Sequence, residues 1–158
     1  FHALAKNALF LCAGAIIYKT GLQRVDEMQG LGRRMPVTMG LFILCALSLV
    51  GIPPLGGFIS KWYIAEGALG SSMPVFSWLV PVVLLISALL TAGYLLPPSI
   101  MAFFGGMVDG EAVSTLSRAE SSTVMLVPIA LLALALLVLG SMPAALIDAF
   151  SGMANLLF

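Results

Sequence analysis

Lys61 is the residue whose position most clearly suggests chemistry. It lies inside an apolar run from about 35 to 70, shortly after a stretch of helix-breaking residues at 51–57. Charging a lysine at the centre of a membrane-spanning helix costs roughly 2.5–3.5 kcal/mol on insertion scales. Burial, and the positive end of the helix that begins near Gly57, both disfavour the ammonium. A lysine in such a place can accept and release a proton, and we expect Lys61 to do so.

The first apolar segment carries a second ionisable group. His2 and Lys6 are four residues apart, so they lie on one face of an α-helix. Both lysines have a simpler interpretation as surface anchors. Lys6 can extend from a helix end to the membrane surface, and Trp62 and Tyr63 can mark an interfacial belt next to the other lysine. These alternatives stay open on the residues alone.

Three further residues are secondary candidates. Glu66 lies five residues beyond Lys61, about 140° around a helix, so it is a poor partner on the same helix. It faces a cation, binds across to another helix, or lies at the level of the lipid headgroups. Ser60 adjoins Lys61 in the chain. Tyr94 belongs to a weak polar stripe on its helix, for which hydrogen bonding between helices is the alternative.

The composition places these residues in a membrane. The 158 residues are 61% hydrophobic and 9% charged, whereas soluble domains carry roughly a quarter charged residues. A spanning helix needs about 20 residues. The apolar runs are rich in Leu, Ala and Met, and the charges collect between them, which is typical of membrane helices.

We predict an all-α membrane protein with about five transmembrane helices in a single membrane domain, 1–158. The helices are expected at about 2–19, 36–50, 56–70, 75–104 and 123–141, with a short C-terminal helix over 144–157. The breakers at Gly51–Gly57 either interrupt a helix inside the membrane, where protein or water must satisfy the backbone, or form a tight hairpin at its surface. The chain begins with Phe1 inside an apolar segment, and we interpret it as a piece of a longer protein.

Other kinds of site are not indicated. Cys12 and Cys45 lie inside apolar helices, so we expect them to pack as small apolar side chains rather than bind a metal or form a disulfide. The chain has no CxxC motif and no Gly-rich dinucleotide loop. We therefore expect no cofactor, no nucleic-acid partner and no redox chemistry of its own.

Three segments together resemble a known family. They are His2-Ala-Leu-Ala-Lys6-Asn-Ala-Leu-Phe-Leu, then Met28-Gln-Gly-Leu-Gly-Arg-Arg-Met-Pro36, and then Leu49-Val-Gly-Ile-Pro-Pro-Leu-Gly-Gly-Phe-Ile-Ser-Lys61. They are similar to the antiporter-like proton-conducting membrane subunits of respiratory complex I, membrane-bound hydrogenases and Mrp-type cation/proton antiporters. The third segment is the most specific, and the resemblance covers nearly the whole chain.

The resemblance implies a fold of about fourteen helices with two inverted five-helix repeats, each with a discontinuous helix near charge at mid-membrane depth. This chain would supply helices ten to fourteen, the C-terminal part of that fold. Lys61 would be the terminal proton site on the discontinuous helix. Lys6 and His2 would join it in a hydrated chain across the membrane centre.

We therefore expect proton translocation by the antiporter-like subunit of an NADH-quinone oxidoreductase or a related redox-driven complex in a prokaryotic inner membrane. Its partners would be other membrane subunits, protons and lipid. One alternative is a Mrp-type antiporter subunit that exchanges Na⁺ or K⁺ for H⁺, for which Glu66 is the membrane-embedded acid. The other is a structural membrane subunit without an ion path, in which Lys6 and Lys61 are surface anchors.

Overall fold

The computed structural model describes residues 1–104, 107–108, 111–112, 118–144, 147–148 and 150–152. Its helices are α1 His2–Thr20, α2 Leu31–Arg34, α3 Pro36–Val50, α4 Gly56–Leu69, α5 Pro74–Phe104 and α6 Thr123–Ser141, with a 3₁₀ turn at Asp26–Met28. Two short strands, β1 Met107–Val108 and β2 Glu111–Ala112, pair antiparallel. The regular structure of the described residues is therefore helical apart from this one pair. The predicted helix over 144–157 lies partly outside the described residues, of which 144, 147–148 and 150–152 are helical.

Within the described part of the chain, two helices are long and apolar enough to cross a membrane. These are α5, with 31 residues and a mean hydropathy of 2.4, and α6, with 19 residues and a mean hydropathy of 2.7. Only 6% of the apolar window of α5 and 22% of that of α6 is buried inside the chain. Apolar side chains left uncovered on this scale need a non-aqueous surrounding, which agrees with the composition. The helix α3 is apolar but has 15 residues.

The helix α3 lies at the centre of the packing, in contact with α1, α5 and α6. Small side chains make this close packing feasible, as in other membrane bundles. On α1 the buried small residues recur at spacings of three and four, which places them on one face; they are Ala5, Ala8, Cys12 and Ala15. Cys45 of α3 is also buried, and the Cys12 thiol donates a weak bond to the Thr38 carbonyl at 3.8 Å. Both cysteines thus pack as small core residues.

The helices on either side of the break, α3 and α4, have the same long neighbour, α5. The helix α5 is about 46 Å long at 1.5 Å per residue, whereas α3 and α4 each measure about 22 Å. Ile43 of α3 lies against the last turns of α5, from Leu96 to Phe104, while α4 leads through the turn at 70–73 into the start of α5. Both α3 and α4 contact α5. The two short helices therefore share α5 as a neighbour, with the break at 51–55 between them.

Glycines let the backbones approach closely where the helix is interrupted. A Cβ added at Gly57 would overlap the carbonyl oxygen of Ser48, in the last turn of α3. A Cβ added at Gly140 of α6 would overlap the backbone nitrogen of Gly56. The start of α4 thus lies in close contact with both the last turn of α3 and the last turn of α6.

Replacing Gly57 with Ala should destabilise the protein by about 1–3 kcal/mol, because the new methyl group forces the backbone apart. The matched control is Gly67→Ala on the same helix, where nothing lies within 4 Å of an added Cβ; it should be neutral or slightly stabilising. The measurement is thermal unfolding of the full-length protein in detergent. Equal unfolding temperatures for the two variants would contradict the close contact at Gly57.

Candidate functional site

Lys61 binds the end of the preceding helix. Its Nζ donates hydrogen bonds to the carbonyl oxygens of Val50 at 2.6 Å and Leu49 at 3.1 Å. These are the last two carbonyls of α3, which have no partner within a helix that stops at Val50. The carbonyl of Leu47 accepts from the amides of Gly51 and Ile52 at 3.0 and 3.1 Å. The lysine therefore satisfies backbone groups that the break in the helix leaves open.

This geometry changes the expected electrostatics of Lys61. The sequence suggested that the positive end of α4 would disfavour the ammonium. Instead the side chain extends toward the N-terminus of α4, as helix side chains do. The ammonium therefore lies at the negative C-terminal end of α3. Gly51, with φ of +95°, lies beside the lysine stem, since an added Cβ there would be 3.0 Å from Lys61 Cδ. The negative helix end and the two carbonyls favour the ammonium, so they act against the effect expected of burial and of the positive end of α4.

A small cavity of about 60 Å³ lies beside Lys61. Four residues with polar side chains line it: His2, Ser48, Ser60 and Lys61. The hydroxyl of Ser60 donates to the Gly57 carbonyl at 3.2 Å. The cavity thus brings together the predicted site residues Lys61, His2 and Ser60 where α1 meets α3 and α4.

Lys6 belongs to a second cluster. Its Nζ lies 5.8 Å from the centre of the Tyr94 ring on α5, within the range of a cation–π contact. Lys6 does not line the Lys61 cavity, although it shares a helix face with His2. Glu66 is exposed, and no ion pair to it is found among the described residues. The six predicted site residues therefore divide into a cavity group, a Lys6–Tyr94 pair and an isolated carboxylate.

Glu120 is a residue whose role the sequence reasoning missed. Its carboxylate accepts from the backbone amides of Val37 at 2.8 Å and Thr38 at 3.3 Å, and from the Thr38 hydroxyl. These amides are among the free donors of the first turn of α3. Met35, at the N-cap position, supplies no capping side chain, so that the cap comes from a loop more than 80 residues away in the chain. Pro36 marked the helix start, but no local signal identified the cap.

The central helix α3 consequently has an opposite charge at each end. The carboxylate of Glu120 lies at its positive N-terminus, and the ammonium of Lys61 lies at its negative C-terminus. Each placement is favourable with respect to the helix dipole. The two charges also bind directly to the backbone groups that the helix ends leave unpaired.

The remaining charged contact is a surface one. In the loop between α1 and α2, Arg24 Nε lies 3.1 Å from an Asp26 carboxylate oxygen, with both side chains largely exposed. The hydrogen bond from Arg24 lowers the pKa of Asp26. Exposed pairs of this kind contribute little to stability, and this one is remote from the Lys61 cavity.

The fold and the site together define a helical integral membrane protein in which a lysine of α4 binds the last carbonyls of α3. The family model described as NADH:quinone oxidoreductase/Mrp antiporter, TM, matches residues 1–91. The chain belongs to this family, as its sequence motifs predicted.

Individual relatives agree with that assignment. The chain is 38% identical over 147 residues to NADH-quinone oxidoreductase subunit N of Desulforudis audaxviator, covering 88% of this chain and 28% of the relative. It is 42% identical over 102 residues to a Na(+)/H(+) antiporter subunit of Bacillus subtilis, covering 65% of this chain and 20% of the relative. The chain thus spans between about a fifth and a third of the length of these curated relatives. Their bacterial sources agree with the expected prokaryotic inner membrane.

A solved structure has the same fold. A chain of the Mrp complex from a Dietzia species superposes with a TM-score of 0.73 at 22% identity, covering 92% of this chain and 34% of that chain. At this identity the likeness concerns the fold alone. That neighbour is part of a multisubunit membrane complex, which agrees with the expectation of other membrane subunits as partners.

Replacing Glu120 with Ala should cost about 0.5–2 kcal/mol of stability, the usual range for loss of a helix cap. Glu120→Gln should cost less, because the amide keeps one acceptor oxygen for the helix amides. Glu66→Ala is the matched control, since that glutamate is exposed. The measurement is again unfolding of the full-length protein in detergent. The capping role is contradicted when Glu120→Ala and Glu66→Ala unfold at the same temperature.

Proposed function

We propose that this chain moves protons through the membrane, with Lys61 as the residue that takes up and releases them. One observation carries the proposal: the Lys61 amine is bound at the break of an interrupted helix and borders a cavity that His2 also lines. Ionisable groups inside a membrane are costly, and they mark ion or proton paths. A lysine that only anchored the chain at the surface would have no need of two carbonyls inside the bundle.

The hydrogen bonds of Lys61 suit a residue that changes its protonation state. An ammonium has three N–H donors, and two of them are used by the carbonyls of Leu49 and Val50. A neutral amine still has two N–H bonds. The anchoring bonds therefore survive loss of the third proton, and the side chain keeps its position while that proton moves.

His2 and Lys6 extend the proposed path. His2 lines the Lys61 cavity, and Lys6 is one helical turn further along the same helix, beside Tyr94. Water between these groups would complete a chain of proton carriers along α1. A cation over the Tyr94 ring is stabilised without a counter-charge, which allows Lys6 to hold its proton until water accepts it.

We further propose that α1, the interrupted pair α3–α4, α5 and α6 all cross the membrane. Counted separately, these are five helices of a larger inverted-repeat protein of about fourteen. The parent would be the antiporter-like subunit of an NADH-quinone oxidoreductase or a related redox-driven complex. Partner subunits would supply the driving energy, and this chain would carry no redox chemistry of its own.

A Mrp-type antiporter subunit is the second candidate, favoured by the 42% identity to the Bacillus subtilis antiporter protein. Exchange of Na⁺ or K⁺ for H⁺ requires a cation site, and Glu66 is the only acidic residue between 35 and 108. Transport assayed in vesicles with and without Na⁺ separates the two candidates. A rate that depends on Na⁺ and falls in Glu66→Gln favours the antiporter.

Replacing Lys61 with Ala in the full-length protein should lower proton translocation on the order of a hundredfold, the scale of losing a proton-transferring group. Lys61→Arg should also fail, because a guanidinium does not release its proton. Both variants are assayed for proton pumping in vesicles, with assembly of the parent complex checked in parallel.

The matched control is Lys19→Ala, since Lys19 lies exposed in the last turn of α1. It should pump like the unaltered protein. Normal pumping by an assembled Lys61→Ala variant would contradict the proposed role and leave the structural-subunit alternative.

A further inference from the structure

Ser48 carries a buried hydroxyl that nothing in the described part of the chain satisfies. The residue is 1% exposed, and its Oγ has no hydrogen-bond partner among the described residues. Leaving a polar group buried without a partner costs about 1–3 kcal/mol. Ser48 also lines the cavity beside Lys61. A group of this kind indicates a ligand that the protein itself does not supply.

Other hydroxyls in these helices behave differently. Several donate to the carbonyl four residues earlier in their own helix, at 2.7–2.9 Å; these are Thr20, Thr91, Ser99 and Ser141. This is the usual solution for serine and threonine inside a helix. Ser48 does not adopt it, although it lies within the regular helix α3. Its hydroxyl is therefore available to the cavity rather than to its own backbone.

The cavity has the size and polarity that water requires. A bound water needs two to four polar partners and a volume of at least about 10–15 Å³, and this cavity measures about 60 Å³. The lining offers the Ser48 hydroxyl, the free lone pairs of Ser60, the imidazole of His2 and the third N–H of Lys61. An apolar ligand would leave these groups unpaired, so water fits the site best.

We propose that the Ser48 hydroxyl fixes the position of the water in this cavity through which Lys61 and His2 exchange a proton. The inference rests on the proposed proton path and names the residue that positions its water. In one transfer an Nζ–H bond of Lys61 breaks and an O–H bond forms on the water. The water then gives a different proton to an imidazole nitrogen of His2. Lysine becomes neutral, histidine becomes positively charged, and the water is regenerated.

Ser48 is accordingly a positioning residue rather than a proton carrier. It precedes Leu49, whose carbonyl binds Lys61, and its own carbonyl lies against Gly57. Contacts from Lys61 and Gly57 of α4 thus fix the backbone at and next to Ser48. The same packing keeps Ser48 in the wall of the cavity that Lys61 and His2 also line.

The test is Ser48→Ala in the full-length protein, assembled with its partner subunits. Proton translocation in vesicles should fall about fivefold, as expected for loss of one hydrogen bond of about 1 kcal/mol. Ser99→Ala is the matched control: Ser99 is a buried serine on α5 that donates to the Leu95 carbonyl at 2.9 Å, and it should have no such effect. A high-resolution cryo-EM map of each complex should show water density between Ser48 and Lys61 in the unaltered protein, and none in Ser48→Ala.

The outcomes separate this inference from the proposed function. When Lys61→Ala abolishes pumping but Ser48→Ala pumps like Ser99→Ala, the water-positioning role is wrong and the proton path stands. When Lys61→Ala pumps normally, the proton path itself is wrong. Should Ser48→Ala fail to assemble, the map of the unaltered complex decides, because a cavity without water density overturns the inference.

Discussion

The hydrogen bonds from Lys61 to the last carbonyls of α3 are the interaction on which the rest of the site depends. A helix that ends at Val50 leaves its last backbone oxygens without a partner within the helix. Here a charged side chain from the next helix supplies the missing donors. The benefit is mutual: the lysine satisfies the carbonyls, and the carbonyls stabilise a buried ammonium that would otherwise raise the free energy of the fold. The break and the lysine are therefore one structural feature.

That feature determines much of the surrounding packing. For the lysine to reach back over the break, α4 must begin close to the last turn of α3, and this requires Gly57 against the Ser48 carbonyl. The helices α1, α5 and α6 surround α3 through small side chains and leave a cavity where His2 of α1 meets Lys61. At the far end of α3, Glu120 binds the free amides. The central helix is thus held by a carboxylate and an ammonium at its opposite ends.

The parts of this arrangement that depend on local chemistry could be predicted from the sequence. Gly51, the two prolines after it and Gly56 mark the break without reference to any other element, and the helical, membrane-bound character follows from composition. The family assignment from the motif that ends in Lys61 is confirmed by the family match over residues 1–91. The five long helices up to Ser141 begin and end within one residue of the expected ranges, because apolar runs and breakers carry that information.

The remaining features arise from contacts between residues distant in the chain. The spacing of His2 and Lys6 predicts a shared helix face, yet one lines the Lys61 cavity and the other contacts Tyr94, because different neighbours cover successive turns of α1. Glu120 lies more than 80 residues from the helix that it caps. The sequence also did not indicate which carbonyl oxygens accept the hydrogen bonds of Lys61. The direction in which its side chain extends depends on how α3 and α4 meet.

The most direct measurement of this account is a solid-state NMR contact between the side-chain nitrogen of Lys61 and the carbonyl carbon of Val50, in the full-length protein in lipid bilayers. The protein carries ¹⁵N in its lysine side chains and ¹³C in its valine carbonyls, and the Lys61→Arg variant assigns the nitrogen signal. We expect a strong cross-peak, because the nitrogen lies 2.6 Å from the Val50 oxygen. A Lys61 nitrogen that shows contacts to lipid headgroups and none to Val50 would contradict it.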